Sequence, residues 1–225
     1  PGRLAVPVSE FTVGLILAET RNIARAHMQA MGGDFNTFDY VNLDYCFTLR
    51  GKNIGIVGCG AVGARVAKIM KAFEANVLVY DPYIPAETLR AQGYEPMELN
   101  ELCAKADVIS VHFRLTPQTT GLIGPEQFKR MKPTCYLINT ARAGLVDEQA
   151  MLDALENKRI GGAALDVFHS EPLPEDYPLF HMRNVTITPH LAGYCSDMFQ
   201  LTVSITLGEL EHYFKNGEWI NVVNR

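Results

Sequence analysis

The sequence predicts an α/β fold: a doubly wound parallel sheet with flanking helices at both ends of the chain. Three observations carry that prediction. Six short apolar runs stand at residues 54–57, 77–80, 108–111, 136–138, 163–167 and 185–187. None alternates cleanly with polar residues, which is the pattern of strands covered on both faces. Helical stretches at 61–73, 99–105, 125–131 and 147–157 fall between most of the runs, and strand–helix alternation winds a parallel sheet. The third observation is "IGIVGCGAVG", residues 54–63, an apolar run that breaks into three glycines spaced G-x-G-x-x-G.

Composition narrows the function classes. A chain of 225 residues, 48% hydrophobic and 20% charged, has enough apolar material for a proper core. A formal net charge of −5 argues against nucleic acid or an anionic membrane as the main partner, although a small anionic substrate needs only local cations. Five Cys without paired close spacings read as reduced thiols, hence a cytoplasmic setting. The apolar run at 13–18 is far too short to span a bilayer and ends at Glu19. A basic n-region and an A-x-A site are both missing, so no signal peptide is expected.

The elements follow in order. Residues 1–31 read as one long helical pattern whose first half is apolar nearly all round and must be covered by other protein. A polar, aromatic-containing loop, "GGDFNTFDYVNLDYCFTLRGKN", leads to the glycine run. That run sits on a predicted strand, opens a helix, and is followed by a second strand ending "VLVYD". This is the context a Rossmann-type phosphate turn requires. Gly58 allows the tight turn, Gly60 lets backbone approach a pyrophosphate, and Gly63 brings helix against strand; Ala61 and Val62 lie at the helix N-terminus, whose N–H groups and dipole favour an anion. Asp81 comes 23 residues after Gly58, where a carboxylate can hold a ribose diol. Its charge would repel a 2′-phosphate, so NAD is expected in preference to NADP. Cys59 is read as a small residue tolerated in the loop; the alternative is a thiol of lowered pKa at the helix N-terminus. The helix at 147–157 ends in "NKRIGG", cations then glycine, and the chain closes with a long helix, "CSDMFQLTVSITLGELEHYFKNGEW".

Three segments contain polar groups that a fold alone does not require. They are "LINTARAGLVDEQAM" (137–151), "GGAALDVFHSEP" (161–172) and "VTITPHLAG" (185–193). In each, an apolar strand runs out and presents ionisable residues: Arg142, then Asp166 and Glu171, then His190. Ligands of doubly wound sheets bind outside the carboxyl ends of the strands, so these four residues can converge on one cleft. His112 also ends a strand and can line the cofactor side of that cleft. His27, His169, His181 and His212 belong to no motif, and no metal ligand set is assigned.

These segments, together with the glycine loop and "VSVHFRLTPQTTGLIG", occur in order and resemble the D-isomer-specific 2-hydroxyacid dehydrogenases over essentially the whole chain. The resemblance implies that Arg142 binds the substrate carboxylate, that His190 is the acid/base and that Glu171 is its partner carboxylate. It implies that Asp166 holds the nicotinamide carboxamide, that Thr140 and Ala141 approach the nicotinamide end, and that Thr119, His112 and Gly193 lie by the cofactor. It further implies a small anionic 2-hydroxy or 2-keto acid as substrate. The chemistry suits those residue types. A two-pronged planar cation fits a carboxylate, an imidazole can deliver a proton near neutral pH, and a carboxylate beside it favours the protonated form and fixes its orientation.

Two departures stand out. Many members read H-x-P where this chain has His112-Phe113-Arg114, which places a cation near the adenosine side and weakens the preference for NAD. Ala143 stands where many have Gly. The resemblance also divides the chain into an interdomain and dimerisation helix at 1–34, an NAD-binding domain at 35–192, and a C-terminal helix at 193–225 that returns to a substrate domain expected before residue 1. A homodimer through the N-terminal helix region is expected. Two other readings share the fold: an NAD(H)-sensing corepressor of the carboxy-terminal-binding type, and formate dehydrogenase. The latter uses Gln where this chain has Glu171.

Overall fold

The computed structural model describes residues 4–35, 46–220 and 222. Part of the polar loop at 32–53 therefore lies outside the described residues. Seven strands form one sheet: β1 (Asn53–Val57), β2 (Asn76–Tyr80), β3 (Glu95–Pro96), β4 (Val108–Val111), β5 (Tyr136–Asn139), β6 (Gly162–Leu165) and β7 (Val185–Ile187). Their order is β3-β2-β1-β4-β5-β6-β7, every pairing is parallel, and the strand order reverses between β1 and β4. The doubly wound expectation is met. β3 and helix α4 (Ala86–Ala91) are additions to the sequence reading. A two-residue edge strand containing Pro96 gives no apolar run to detect, and proline is tolerated only at such an edge.

Helices cover both faces. On one side α1 (Ala5–Thr20), α3 (Gly63–Ala72) and α4 bury Leu15, Ile16, Val66, Met70 and Leu89 with Ile54, Ile56 and Ile138 of the sheet. On the other, α5 (Leu99–Lys105), α6 (Pro125–Arg130) and α7 (Glu148–Glu156) bury Leu102, Phe128 and Leu155 with Val57, Ile109 and Leu137. The first helix therefore finds much of its cover within this chain. Its buried line runs Ala5, Ser9, Thr12, Leu15, Ile16, Glu19, Thr20.

The single N-terminal helix expected from sequence is two. α2 (Ile23–Met31) starts after Asn22, whose backbone is left-handed at φ 59. Asn tolerates that region better than most residues. The break is held by Arg25: its Nε donates to Asn22 Oδ1, and its Nη1 lies 3.1 Å from Oε2 of the fully buried Glu19. The last helix, α8 (Ser196–Asn216), ends at Gly217 with φ 74 and leaves Phe199 and Phe214 about four-fifths exposed. No helix among the described residues is long and apolar enough to cross a membrane. All five cysteines are free thiols.

Register places the site. Tyr80, Val57, Val111, Asn139, Leu165 and Ile187 are paired in one row across the sheet. The residues just beyond that row are Asp81, Gly58, His112, Thr140, Asp166 and Thr188. One edge of the sheet thus gathers residues more than a hundred positions apart.

Candidate active site

The three glycines do different work. Gly58 has φ +95, and a Cβ there would lie 3.0 Å from the Phe113 nitrogen. A Cβ on Gly63 would come within 2.0 Å of the Gly58 carbonyl oxygen. The protein's own backbone requires both. Gly60 is exposed, and a Cβ on it would meet nothing within 4 Å. The fold has no need of glycine at 60, but a pyrophosphate approaching the backbone does. Ala61 is exposed beside it, Val62 caps α3, and the first turn of a helix presents N–H groups with no intrahelical acceptor. The loop fits a dinucleotide.

Asp81 faces this loop. Its Oδ2 accepts the Cys59 N–H at 2.8 Å and its Oδ1 the Tyr83 N–H at 3.0 Å. Burial and the charge of Asp81 push the Cys59 thiol up to about 11, so the lowered-pKa alternative is corrected: the thiol is protonated and inert. Phe113 packs edge-on against Tyr80 and Tyr83, with centroids 6.1 and 6.5 Å away. Arg114 is exposed, and its carbonyl accepts the Thr119 hydroxyl at 2.7 Å. Thr119 also accepts the Thr116 N–H at 2.8 Å, so it braces the 114–119 loop. Burial pushes the His112 imidazole down to about 4; the ring is neutral at pH 7 and meets the Ser110 hydroxyl at 2.9 Å.

At the far end of the row, two loops carry the ionisable groups. Thr140 lies 2.7 Å from Thr12 of α1. Thr12 donates its one hydroxyl proton to the Val8 carbonyl, so Thr140 must be the donor between them and keeps its oxygen lone pairs. Ala141 N–H donates to Asn139 Oδ1 at 3.0 Å, and Arg142 is exposed, its Nη1 donating to the Ala141 carbonyl at 2.6 Å. Asp166 is fully buried. Its Oδ1 accepts the Thr188 hydroxyl at 2.6 Å and the Leu191 N–H at 2.8 Å, and its Oδ2 accepts the Ala192 N–H at 2.8 Å. It therefore clamps the turn that contains His190, a use the sequence did not suggest. Gly193 follows in that turn, where a Cβ would touch Leu4 at 3.5 Å.

His190 has a left-handed backbone at φ 57, and its Nδ1 lies 2.8 Å from Glu171 Oε2. A carboxylate can only accept, so Nδ1 is the donor and Nε2 is the free end. Glu171 Oε1 accepts the Phe168 N–H at 3.0 Å. The bond from His190, then that from Phe168, holds the Glu171 carboxyl below the usual range, with the charges of His190 and Arg142 assisting. The side chains of His190 and Glu171 are 45% and 39% exposed, so a small ligand can reach them. Both His190 and Arg142 are thus in electrostatic reach of Glu171. His27, His169 and His181 are exposed, His169 on the loop that carries Glu171, and His212 bonds Asn216 on α8. Asn139, absent from the sequence reading, is 1% exposed and grips the Arg142 loop. Its only sequence signal is a polar residue ending an otherwise apolar strand.

Comparison with known proteins fits this geometry. Residues 13–192 match the family model described as D-isomer specific 2-hydroxyacid dehydrogenase, NAD binding domain. The chain is 38% identical over 225 residues to the D-3-phosphoglycerate dehydrogenase of Methanocaldococcus jannaschii, covering 100% of this chain and 42% of that protein. It is 43% identical over 198 residues to the glyoxylate reductase of Thermofilum pendens, covering 86% of this chain and 57% of the relative. The chain thus spans roughly half the length of these relatives. Among solved structures, the D-lactate dehydrogenase of Lactobacillus jensenii with NAD+ superposes with a TM-score of 0.86 at 30% identity, over 98% of this chain and 69% of that one. An acyclic imino acid reductase in complex with NADPH and D-Arg gives 0.87 at 28% identity, over 100% and 69%. The chain belongs to the D-isomer specific 2-hydroxyacid dehydrogenases, residues 13–192 matching the NAD-binding domain of that family.

Proposed function

We propose that this chain carries the cofactor site and the reacting side chains of an NAD(H)-dependent dehydrogenase that interconverts a small 2-hydroxy acid and its 2-keto acid. The observation that carries the reading is the His190–Glu171 pair at 2.8 Å. It is half exposed, has Arg142 within electrostatic reach, and stands at the same sheet edge as the open glycine loop. Bound NAD(H) supplies or accepts the hydride. Arg142 binds the substrate carboxylate with its guanidinium fork. His190 delivers a proton from Nε2 to the carbonyl oxygen during reduction and takes it back during oxidation. Glu171, ionised throughout, holds Nδ1–H and balances the imidazolium charge.

Around that centre, Gly58, Gly60, Ala61, Val62 and Gly63 receive the pyrophosphate, and Asp81 receives the adenosine ribose in preference to a 2′-phosphate. Thr140, Ala141 and Asp166 border the nicotinamide end, where Thr140 offers lone pairs and Oδ2 of Asp166 keeps one acceptor position. Residues 1–34 and 193–225 flank the cofactor unit at 35–192, and the region of α1 and α2 is the side through which two copies pair. A cytoplasmic setting belongs to the same reading. The test is an NADH titration by fluorescence followed by assays with glyoxylate and hydroxypyruvate. His190→Ala should keep NADH affinity and lose roughly 10² to 10⁴ in turnover, as for a removed general acid. Full turnover in His190→Ala would overturn the assignment.

A further inference from the structure

Two buried side chains outside the reacting set hold the loops on which it stands. Asn139 ends β5 and is 1% exposed. Its Oδ1 accepts the Ala141 N–H at 3.0 Å, and its Nδ2 donates to the Arg142 carbonyl at 2.9 Å. Both ends of the amide are therefore used on the backbone of one three-residue loop. Asp166, beyond the neighbouring strand, grips the His190 turn through Thr188, Leu191 and Ala192. The two braces are joined, because the Asp166 N–H donates to the Asn139 carbonyl at 3.0 Å. Among the described residues no hydrogen bond runs between Arg142 and His190. Their relative placement comes from this shared anchor.

We propose that Asn139 is a positioning residue for the reaction: it sets where the Arg142 guanidinium stands and so sets the affinity for the substrate carboxylate. The inference rests on the reading of Arg142 as the carboxylate-binding cation. The side chain of Arg142 is exposed and is tied to the protein by a bond from Nη1 to the Ala141 carbonyl at 2.6 Å, on the same loop that Asn139 holds. Where that loop goes, the guanidinium goes. An amide offers an acceptor and a donor on one carbon at neutral pH, where a carboxylate can only accept. A carboxylate at 139 would turn an oxygen toward the Arg142 carbonyl, and an apolar side chain would take the acceptor from the Ala141 N–H and leave the Arg142 carbonyl with the Leu145 N–H alone, at 3.3 Å. The strand itself does not depend on this side chain, since β5 is registered by its backbone against β4 and β6.

The experiment is a double-mutant cycle in the intact protein with a 2-keto acid and NADH. Asn139→Ala should raise KM for the keto acid about 10- to 100-fold, the range for a buried partner removed. Turnover number and NADH affinity, the latter read by fluorescence on the same samples, should each change less than about threefold. In an Arg142→Gln background, Asn139→Ala should add less than about threefold to KM, because the group it positions is gone. Asn139→Asp supplies a pH readout. At pH 8 its KM relative to wild type should match Asn139→Ala. Near pH 5.5 the buried carboxyl, raised by desolvation, regains a proton and with it a donor for the Arg142 carbonyl, so the ratio should fall back toward one. Unchanged KM in Asn139→Ala, a full additional loss in the Arg142→Gln background, or no recovery of Asn139→Asp at low pH would each overturn the proposal. Arg142→Gln alone leaving KM unchanged overturns the reading of Arg142 instead, and the inference falls with it. Where Asn139→Ala does not keep its fold, the pH series of Asn139→Asp decides.

Discussion

Alanine at position 60 and alanine at position 63 should separate binding from folding within one loop. At 63 the added methyl would stand 2.0 Å from the Gly58 carbonyl oxygen, where real contacts of this kind stay beyond 3.0 Å. Backbone must therefore move by about an ångström, and the displaced oxygen belongs to a residue already locked at φ +95 against Phe113. Overpacking against rigid backbone costs about 3 kcal/mol or somewhat more. For a chain of this size each kcal/mol shifts Tm by roughly 2–4 °C, so Gly63→Ala should lose about 6–12 °C. At 60 the methyl enters open space, and the chain loses freedom in the unfolded state, which is neutral or stabilising by up to about 1 kcal/mol. Gly60→Ala should hold or slightly raise Tm without ligand. The same methyl occupies the approach of the pyrophosphate, so the NADH dissociation constant should rise at least tenfold, about 1.4 kcal/mol. Thermal melts and fluorescence titrations on the same preparations measure both. Wild-type NADH affinity in Gly60→Ala would refute the cradle, and wild-type Tm in Gly63→Ala would refute the close approach of α3 to β1.

Three further outcomes are expected. With Asp81 facing the loop, NAD(H) should bind at least tenfold more tightly than NADP(H); equal affinities by calorimetry would shift attention to Arg114. Because Glu171 is held ionised below the usual carboxylate range, it accompanies His190 over the whole working pH range. Glu171→Gln removes that charge, so keto-acid reduction should fade at lower pH than in wild type; identical profiles would dismiss the pair. Burial raises the Glu19 carboxyl while Arg25 opposes the rise. Arg25→Met should therefore cost about 3–5 kcal/mol at neutral pH in urea unfolding, the range for stranding a buried charge. A carboxyl raised in the folded state adds stability at low pH and loses it as pH rises through its folded pKa, so this deficit should shrink on acidification, and a pH-independent deficit would count against the buried pair.

What the sequence determined by itself is whatever depends on neighbours along the chain. Six of the seven strands announce themselves because each is a short apolar run, most of them covered on both faces, and the glycine spacing is local to one turn. Arg142, Glu171 and His190 are legible because each follows the end of such a run, and parallel strands bring those ends to one edge. Two elements gave no such signal: the two-residue strand β3 and the helix α4. The break at Asn22 depends on the pairing of Arg25 with the buried Glu19, which periodicity cannot reveal. The use of each polar group was decided by tertiary structure alone. Asp166 has the residue type of a cofactor ligand, yet three of its acceptor positions hold the His190 turn. Thr140 owes the direction of its proton to Thr12, 128 residues away. Asn139 was invisible as anything but a strand end until its two amide atoms met the Arg142 loop. A hydrogen bond is set by the direction and distance of its partner, and the chain brings those partners together only when the sheet closes.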